Sequence, residues 1–182
     1  APRSEGKKTK EISRSHKLIR EKSGLITIIG GKWTTYRKMA QDTLDLAIRY
    51  MHIPTKDCIT ERYQIHGSRK NPDFSDPLYV YGTDADEIRN LVASPPAMAE
   101  KLHPDYAYTV GEVTWLVRNE MPRTLEDVLA RRLRILFLDA RAAMAMAPKV
   151  AGILATEWGK DETWTSAQVK AFNEVASNYI LN

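Results

Sequence analysis

The sequence predicts a mainly α fold, in which a C-terminal helical bundle follows a strand-loop-helix remnant of an α/β domain. Three observations carry this prediction. Apolar residues recur at helical spacing through most of residues 83–182. One run, Leu25-Ile26-Thr27-Ile28-Ile29, is β-branched and apolar on both faces, as expected of a short strand covered on two sides. That run enters Gly30-Gly31 and hands over at once to a helical pattern, so a lone strand and its helix stand ahead of the bundle without the strands that would complete a sheet.

In chain order, residues 1–23 carry many lysines and arginines around sparse Ile12, Leu18 and Ile19, which predicts at most short edge strands. Tyr36, Met39/Ala40, Leu44, Ala47/Ile48 and Met51 predict a helix over 34–51, stopping near His52 and Pro54. Residues 53–82 read as an irregular connection with β-like pieces at Cys58-Ile59-Thr60 and Tyr79-Val80-Tyr81, separated by Gly67, Asn71-Pro72 and Pro77. A helix over 83–92 uses Ile88, Leu91 and Val92, and Pro95-Pro96 opens a shorter one ending near Leu102.

Thr109 with Glu112 is a capping-box signal for a helix through Val113, Leu116 and Val117, which stops before Met121-Pro122. Thr124 with Asp127 is a weaker version ahead of a long helix that runs along Leu125, Leu129, Leu133, Leu136, Ala140 and Ala143/Met144 up to Pro148. Two more helices are expected, through Val150, Ile153 and Leu154 and through Phe172, Val175, Ala176, Tyr179 and Ile180. Residues 83–182 therefore form a bundle able to fold alone, 53–82 a connection, and 1–52 a piece that cannot close a sheet by itself.

With 43% hydrophobic and 27% charged residues, the composition excludes a disordered chain and a collagen. No apolar run approaches the roughly 18 to 20 residues of a membrane span. The one cysteine, Cys58, can form no internal disulfide, which fits a reducing compartment, and the expected location is cytoplasmic. The four histidines, His16, His52, His66 and His103, have no metal-ligand spacing, so no metal is expected. The net charge of +4 is uneven: residues 1–22 hold eight Lys/Arg against three Glu, and the remainder is close to neutral. A basic end admits a nucleic-acid contact, an anionic substrate or a solvated tail. Residues 1–22 contain no aromatic side chain for base stacking, so a nucleic-acid-binding or purely helical interaction module is the alternative reading and nucleic acid is not an expected partner.

The chemistry concentrates at the junction Leu25 to Arg37. Glycine lets the backbone approach a ligand, a first helical turn leaves amides unpaired, and the helix dipole adds partial positive charge to the full charge of Lys32. A plain strand-to-helix turn, with glycine for its dihedrals and Thr34 or Thr35 as a cap, uses the same residues. The segment Gly30-Gly31-Lys32-Trp33-Thr34-Thr35-Tyr36-Arg37-Lys38-Met39-Ala40 resembles the signature that closes the flavin domain of FAD-dependent glycerol-3-phosphate dehydrogenases. Ile12-Ser13-Arg14-Ser15 lies where that family has a substrate-contacting arginine, and residues 120–132, from Glu120-Met121-Pro122 to Arg131-Arg132, are similar to its C-terminal helical domain.

The resemblance implies that residues 1–52 are the last part of an FAD-binding α/β domain of an enzyme that oxidises sn-glycerol 3-phosphate to dihydroxyacetone phosphate and passes electrons to membrane quinone. It implies cofactor contacts from Gly30, Gly31, Lys32, Trp33 and Thr34, substrate contacts from Arg14 and Lys32, and a catalytic role for Lys32. A peripheral contact with the inner membrane face and a homodimer are compatible with it. The nine glycines contain no G-x-G-x-x-G, the pyrophosphate-binding spacing, and the family's G-V-R-P arginine is expected upstream of Ala1. The chain is thus expected to be a C-terminal fragment that neither holds FAD tightly nor turns over alone. His16, two residues after Arg14, would face the same way on a strand, but the family's base is expected elsewhere. Trp115, Trp158 and Trp164 are expected in the core, and Arg131, Arg132, Arg134 and Arg141 on a salt-bridged surface.

Overall fold

The structure, a computed structural model, describes residues 15–180. They form a mainly α protein in two compact units that divide between Ile65 and His66. In the first unit, strands β1 (His16–Arg20) and β2 (Ile26–Gly30) pair antiparallel from His16↔Gly30 to Arg20↔Ile26. The turn between them closes with the Glu21 N–H donating to the Leu25 carbonyl at 2.9 Å. A single 3-10 turn, Trp33–Thr35, leads into α1 (Tyr36–Met51). His16 Nε2 meets Asp42 Oδ2 at 2.9 Å, and the Arg20 guanidinium lies over the Tyr50 ring, so polar and cation–π contacts tie helix to hairpin. None of the described residues up to Ile65 is buried, and β2 is half-buried along its length. The two-sided cover expected for this strand is not supplied within its own unit.

The expected β-like pieces at 58–60 and 79–81 are not strands. Residues 58–60 lie in irregular chain, and Tyr79–Asp84 winds as a 3-10 turn into α2 (Ala85–Ala93). Asp73 and Asp76 turn the backbone first: their side chains accept the N–H groups of Ser75 at 2.9 Å and Leu78 at 3.0 Å. Such local bonds win over β propensity when no neighbouring strand is at hand. The helix opened by Pro95-Pro96 is one 3-10 stretch, Pro96–Ala99, shorter than expected, because Lys101 then pairs with Thr109 in a β-bridge.

The second unit holds the core. Helix α3 (Val110–Asn119) starts where the sequence places it, with Thr109 as its cap. The long helix expected up to Pro148 is broken. A π-helical stretch, Asp127–Arg132, is followed by Arg134, which adopts φ 60°, and α4 (Ile135–Leu138) is a single turn. Asp139 is extended and caps a new helix, α5 (Ala140–Trp158), by accepting the Ala142 N–H at 2.9 Å. Pro148 sits inside α5 rather than ending it, so Val150, Ile153 and Leu154 belong to that same helix. Helix α6 (Glu162–Ala176) follows, capped by Asp161. Leu116, Leu129, Met146, Leu154 and Phe172 are among the core side chains.

Trp115 is buried and donates Nε1–H to Glu87 at 3.0 Å, while Trp158 and Trp164 pack edge to face, half-buried against the core. Arg131 pairs with Glu126 and Asp127, and Arg132 with Glu120. Among the described residues no helix is long and apolar enough to cross a membrane.

Candidate functional site

The junction between β2 and α1 is built by backbone geometry. Gly30 and Gly31 adopt φ of 82° and 81°, a region that side chains strain to enter. A Cβ on Gly30 would stand 2.9 Å from the Ser15 carbonyl oxygen, and one on Gly31 would strike the Met39 thioether. Gly30 is therefore held to glycine by its φ and by the Ser15 backbone, and Gly31 chiefly by its φ, since the Met39 side chain can move aside. Lys32 then returns to extended backbone, and Thr35 locks the turn: its hydroxyl accepts the Lys32 N–H at 3.1 Å and donates to the Lys32 carbonyl at 2.9 Å. The cap is thus Thr35 acting backwards, and Thr34 is left exposed.

This arrangement brings Gly30, Gly31, Lys32, Trp33 and Thr34 into one loop. The Lys32 ammonium forms no ion pair among the described residues. Trp33, 86% exposed, stacks on exposed Tyr36 with ring centroids 5.7 Å apart. A bare cation, a flat aromatic pair and the unpaired amides of a first helical turn fit a planar, electron-rich group. Arg14 lies outside the described residues. His16 is occupied by Asp42, which also takes Lys38 at 2.8 Å. The bonds from Lys38 and then His16 hold the Asp42 carboxyl below its ordinary range against some desolvation.

Beside the loop, sequence reasoning missed Arg37. Its guanidinium reaches Gln41 at 3.0 Å, Thr60 at 3.0 Å and Glu61 at 3.1 Å, fastening α1 to the chain that follows it. Only the i,i+4 spacing to Gln41 was visible in the sequence. The hydroxyl of Thr60 also meets Cys58 Sγ at 3.0 Å, and that bond lowers the thiol's pKa. No group of three or more His, Cys, Asp or Glu placed to hold a metal occurs among the described residues.

Residues 25–165, from the residue before β2 to the first turn of α6, match a family described as the C-terminal domain of alpha-glycerophosphate oxidase. The chain belongs to this family. Among relatives of this glycerophosphate-oxidase C-terminal domain is a Caenorhabditis elegans protein named "Probable glycerol-3-phosphate dehydrogenase, mitochondrial", 34% identical over 96% of this chain and 26% of its own length. The Arabidopsis thaliana mitochondrial glycerol-3-phosphate dehydrogenase SDP6 is 31% identical over 94% of this chain and 34% of its own. The Mesocricetus auratus mitochondrial glycerol-3-phosphate dehydrogenase is 29% identical over 94% and 26%. The chain thus spans a quarter to a third of the length of these relatives.

Proposed function

We propose that this chain is the C-terminal part of an FAD-dependent glycerol-3-phosphate dehydrogenase, with residues 1–52 contributing one wall of its flavin and substrate site. The observation that carries the reading is the family match beginning at Leu25, which takes in the one loop where exposed Lys32, Trp33 and Thr34 meet. FAD, when bound, would supply the acceptor for the hydride, which carries both electrons, leaving C2 of sn-glycerol 3-phosphate.

The chain's own residues do the rest. Lys32 and the first helical amides place positive charge where negative charge grows during the reaction. Lys32 also reaches the substrate as a point charge, and Arg14 matches its phosphate with a forked guanidinium. Gly30 and Gly31 set the backbone so that Trp33 and Thr34 border the cofactor. Transfer of electrons to membrane quinone, a peripheral contact with the inner membrane face, a cytoplasmic location, a homodimer, and the inactivity of the isolated chain belong to the same proposal. The relatives' names place those proteins in mitochondria.

Expressed with the coding sequence that precedes Ala1, the protein is expected to be yellow and to reduce an artificial electron acceptor with glycerol 3-phosphate. Lys32→Ala should lower kcat/KM by about tenfold or more and Arg14→Ala should act mainly on KM, since each removes a charged hydrogen bond. A colourless protein, or unchanged kinetics in both variants, would overturn the reading.

A further inference from the structure

A second chemistry lies within the unit that begins at His66. Between α2, the Asp76–Leu78 turn and the 106–109 segment opens a cavity of about 600 Å³, within the size range of small-ligand sites. Its walls are apolar at Leu78, Ile88 and Val92, and Glu112 also lines it. The sequence gives Glu112 a surface task as the third residue of a capping box. The carboxyl does face the Thr109 backbone N–H, as the box requires, but it does so from a buried position. Thr109 Oγ1 accepts the Glu112 N–H at 3.2 Å, and Glu112 Oε1 accepts the Tyr81 hydroxyl at 2.6 Å. Glu112 is 4% exposed, and its carboxyl is bonded by the Tyr81 hydroxyl and by the Thr109 backbone N–H.

Every other polar side chain on the cavity is already committed. Arg89 is held between Asp76 and Asp86, Tyr106 donates to Asp139 at 3.0 Å, and Tyr108 donates to the Leu133 carbonyl at 3.0 Å. Beyond Tyr108, Arg132 is bound to Glu120. An ionised carboxylate offers about four acceptor positions, so Glu112, when ionised, keeps acceptor capacity beyond its two bonds, and Arg134, which lines the adjoining pocket with it, is the other charged group on that side. A buried carboxylate is stabilised by an opposite charge that also donates hydrogen bonds.

We propose that this cavity binds a small apolar amine, its ammonium held by Glu112 and its hydrocarbon part lying on Ile88 and Val92. Without an occupant, burial drives the Glu112 carboxyl above the ordinary carboxylate range, against the opposing bonds from Tyr81 and from the Thr109 backbone N–H. An ammonium at hydrogen-bond distance draws it back down, so binding releases a proton at pH values between the bound and the free pKa and none above the free one. Tyr81, Tyr106 and Tyr108 are themselves shifted upward and stay protonated through that window. Arg89 with Asp76, and Arg132 with Glu120, remain paired.

Titration calorimetry of the whole chain with 2-phenylethylamine, in two buffers of different ionisation heat, tests this directly. The amine should bind about tenfold or more tightly than 2-phenylethanol, with proton release, and 3-phenylpropionate should not compete. Glu112→Gln should lose both the preference and the proton release. Val92→Trp, which fills the cavity, should abolish binding of amine and alcohol alike. No binding at millimolar amine, equal affinity for amine and alcohol, or an amine affinity kept by Glu112→Gln would overturn the proposal. Circular dichroism of both variants separates lost binding from lost structure, and Val92→Trp carries the test should Glu112→Gln fail to fold.

Discussion

The two units of the chain have similar helical signatures in the sequence and opposite interiors. Between Ser15 and Ile65 no described residue is buried, although Leu25, Tyr36, Leu44 and Met51 are large and apolar. From His66 onward, Leu116, Leu129, Met146, Leu154 and Phe172 are all but inaccessible to water. An apolar stripe is a demand for cover, and a helix meets it only when enough neighbours exist to surround it. α1 has a two-stranded hairpin for company, whereas α5 packs on α3, α4 and α6. The groove along Ile28, Met39, Ala40 and Leu44 is what the first unit leaves uncovered. The unit offering the exposed cation and aromatic pair is thus the one with the least stability of its own, which fits a wall of a site completed by further chain.

The largest expected effect follows from that contrast. Phe172→Ala removes a side chain that is 2% exposed and should destabilise the protein by about 3–5 kcal/mol in a urea titration followed by far-ultraviolet circular dichroism. Leu44→Ala removes one that is 61% exposed and should move the same transition by less than about 0.5 kcal/mol. Comparable losses in both variants would break the contrast, because they would mean that the first unit has an interior in solution.

Sequence reading was reliable where one local signal decided the outcome. The apolar run before Gly30 became β2, Tyr36 to Met51 became α1, and Thr109 capped α3. It failed where tertiary packing overrode periodicity. Leu125, Leu129, Leu133 and Leu136 continue into Ala140 as though on one helix, yet Arg134 in the left-handed region and extended Asp139 redirect the chain twice. The available clue was Asp139 ahead of an alanine-rich run, a helix start that the leucine spacing masked. Pro148 was a plausible stop because it lacks an N–H, but a 19-residue helix packed on three neighbours tolerates the lost bond. At the candidate site the loop from Gly30 to Thr34 was legible, being contiguous. Arg37 with Thr60 and Glu61, and Glu112 with Tyr81, were not, since each joins residues more than twenty positions apart.

A smaller effect sharpens the comparison through pH. Asp139 accepts the Ala142 N–H and then the Tyr106 hydroxyl, and these bonds hold its carboxyl below the ordinary range. A depressed folded-state pKa contributes stability that is present above the unfolded value and is lost as pH falls through the folded one. In urea midpoints taken from about pH 6 down to about pH 3, Asp139→Asn should therefore flatten part of the acid-side decline. Asp42 is also depressed, chiefly by Lys38, but it lies in the unit without a core. Asp42→Asn should leave the main unfolding transition where it was, and an equal flattening by both variants would show that the units unfold together.

The smallest expected effect concerns two arginine-carboxylate pairs, one in each unit. Arg118 on α3 clasps Glu157 on α5 with Nε at 2.8 Å and Nη2 at 2.7 Å, a forked contact, whereas Arg37 meets Glu61 through one nitrogen at 3.1 Å. Arg118 is half-exposed, so water and salt screen the pair, and a double-mutant cycle with Arg118→Ala and Glu157→Ala should give a coupling of about 0.5–1 kcal/mol that shrinks in 1 M salt. The Arg37–Glu61 cycle should give nothing measurable on the same transition. A coupling well above about 1 kcal/mol for Arg118 would mean that the fork, and not the apolar contact between α3 and α5, sets their spacing. The contrast between the units would then rest on electrostatics at the rim rather than on the presence of a core.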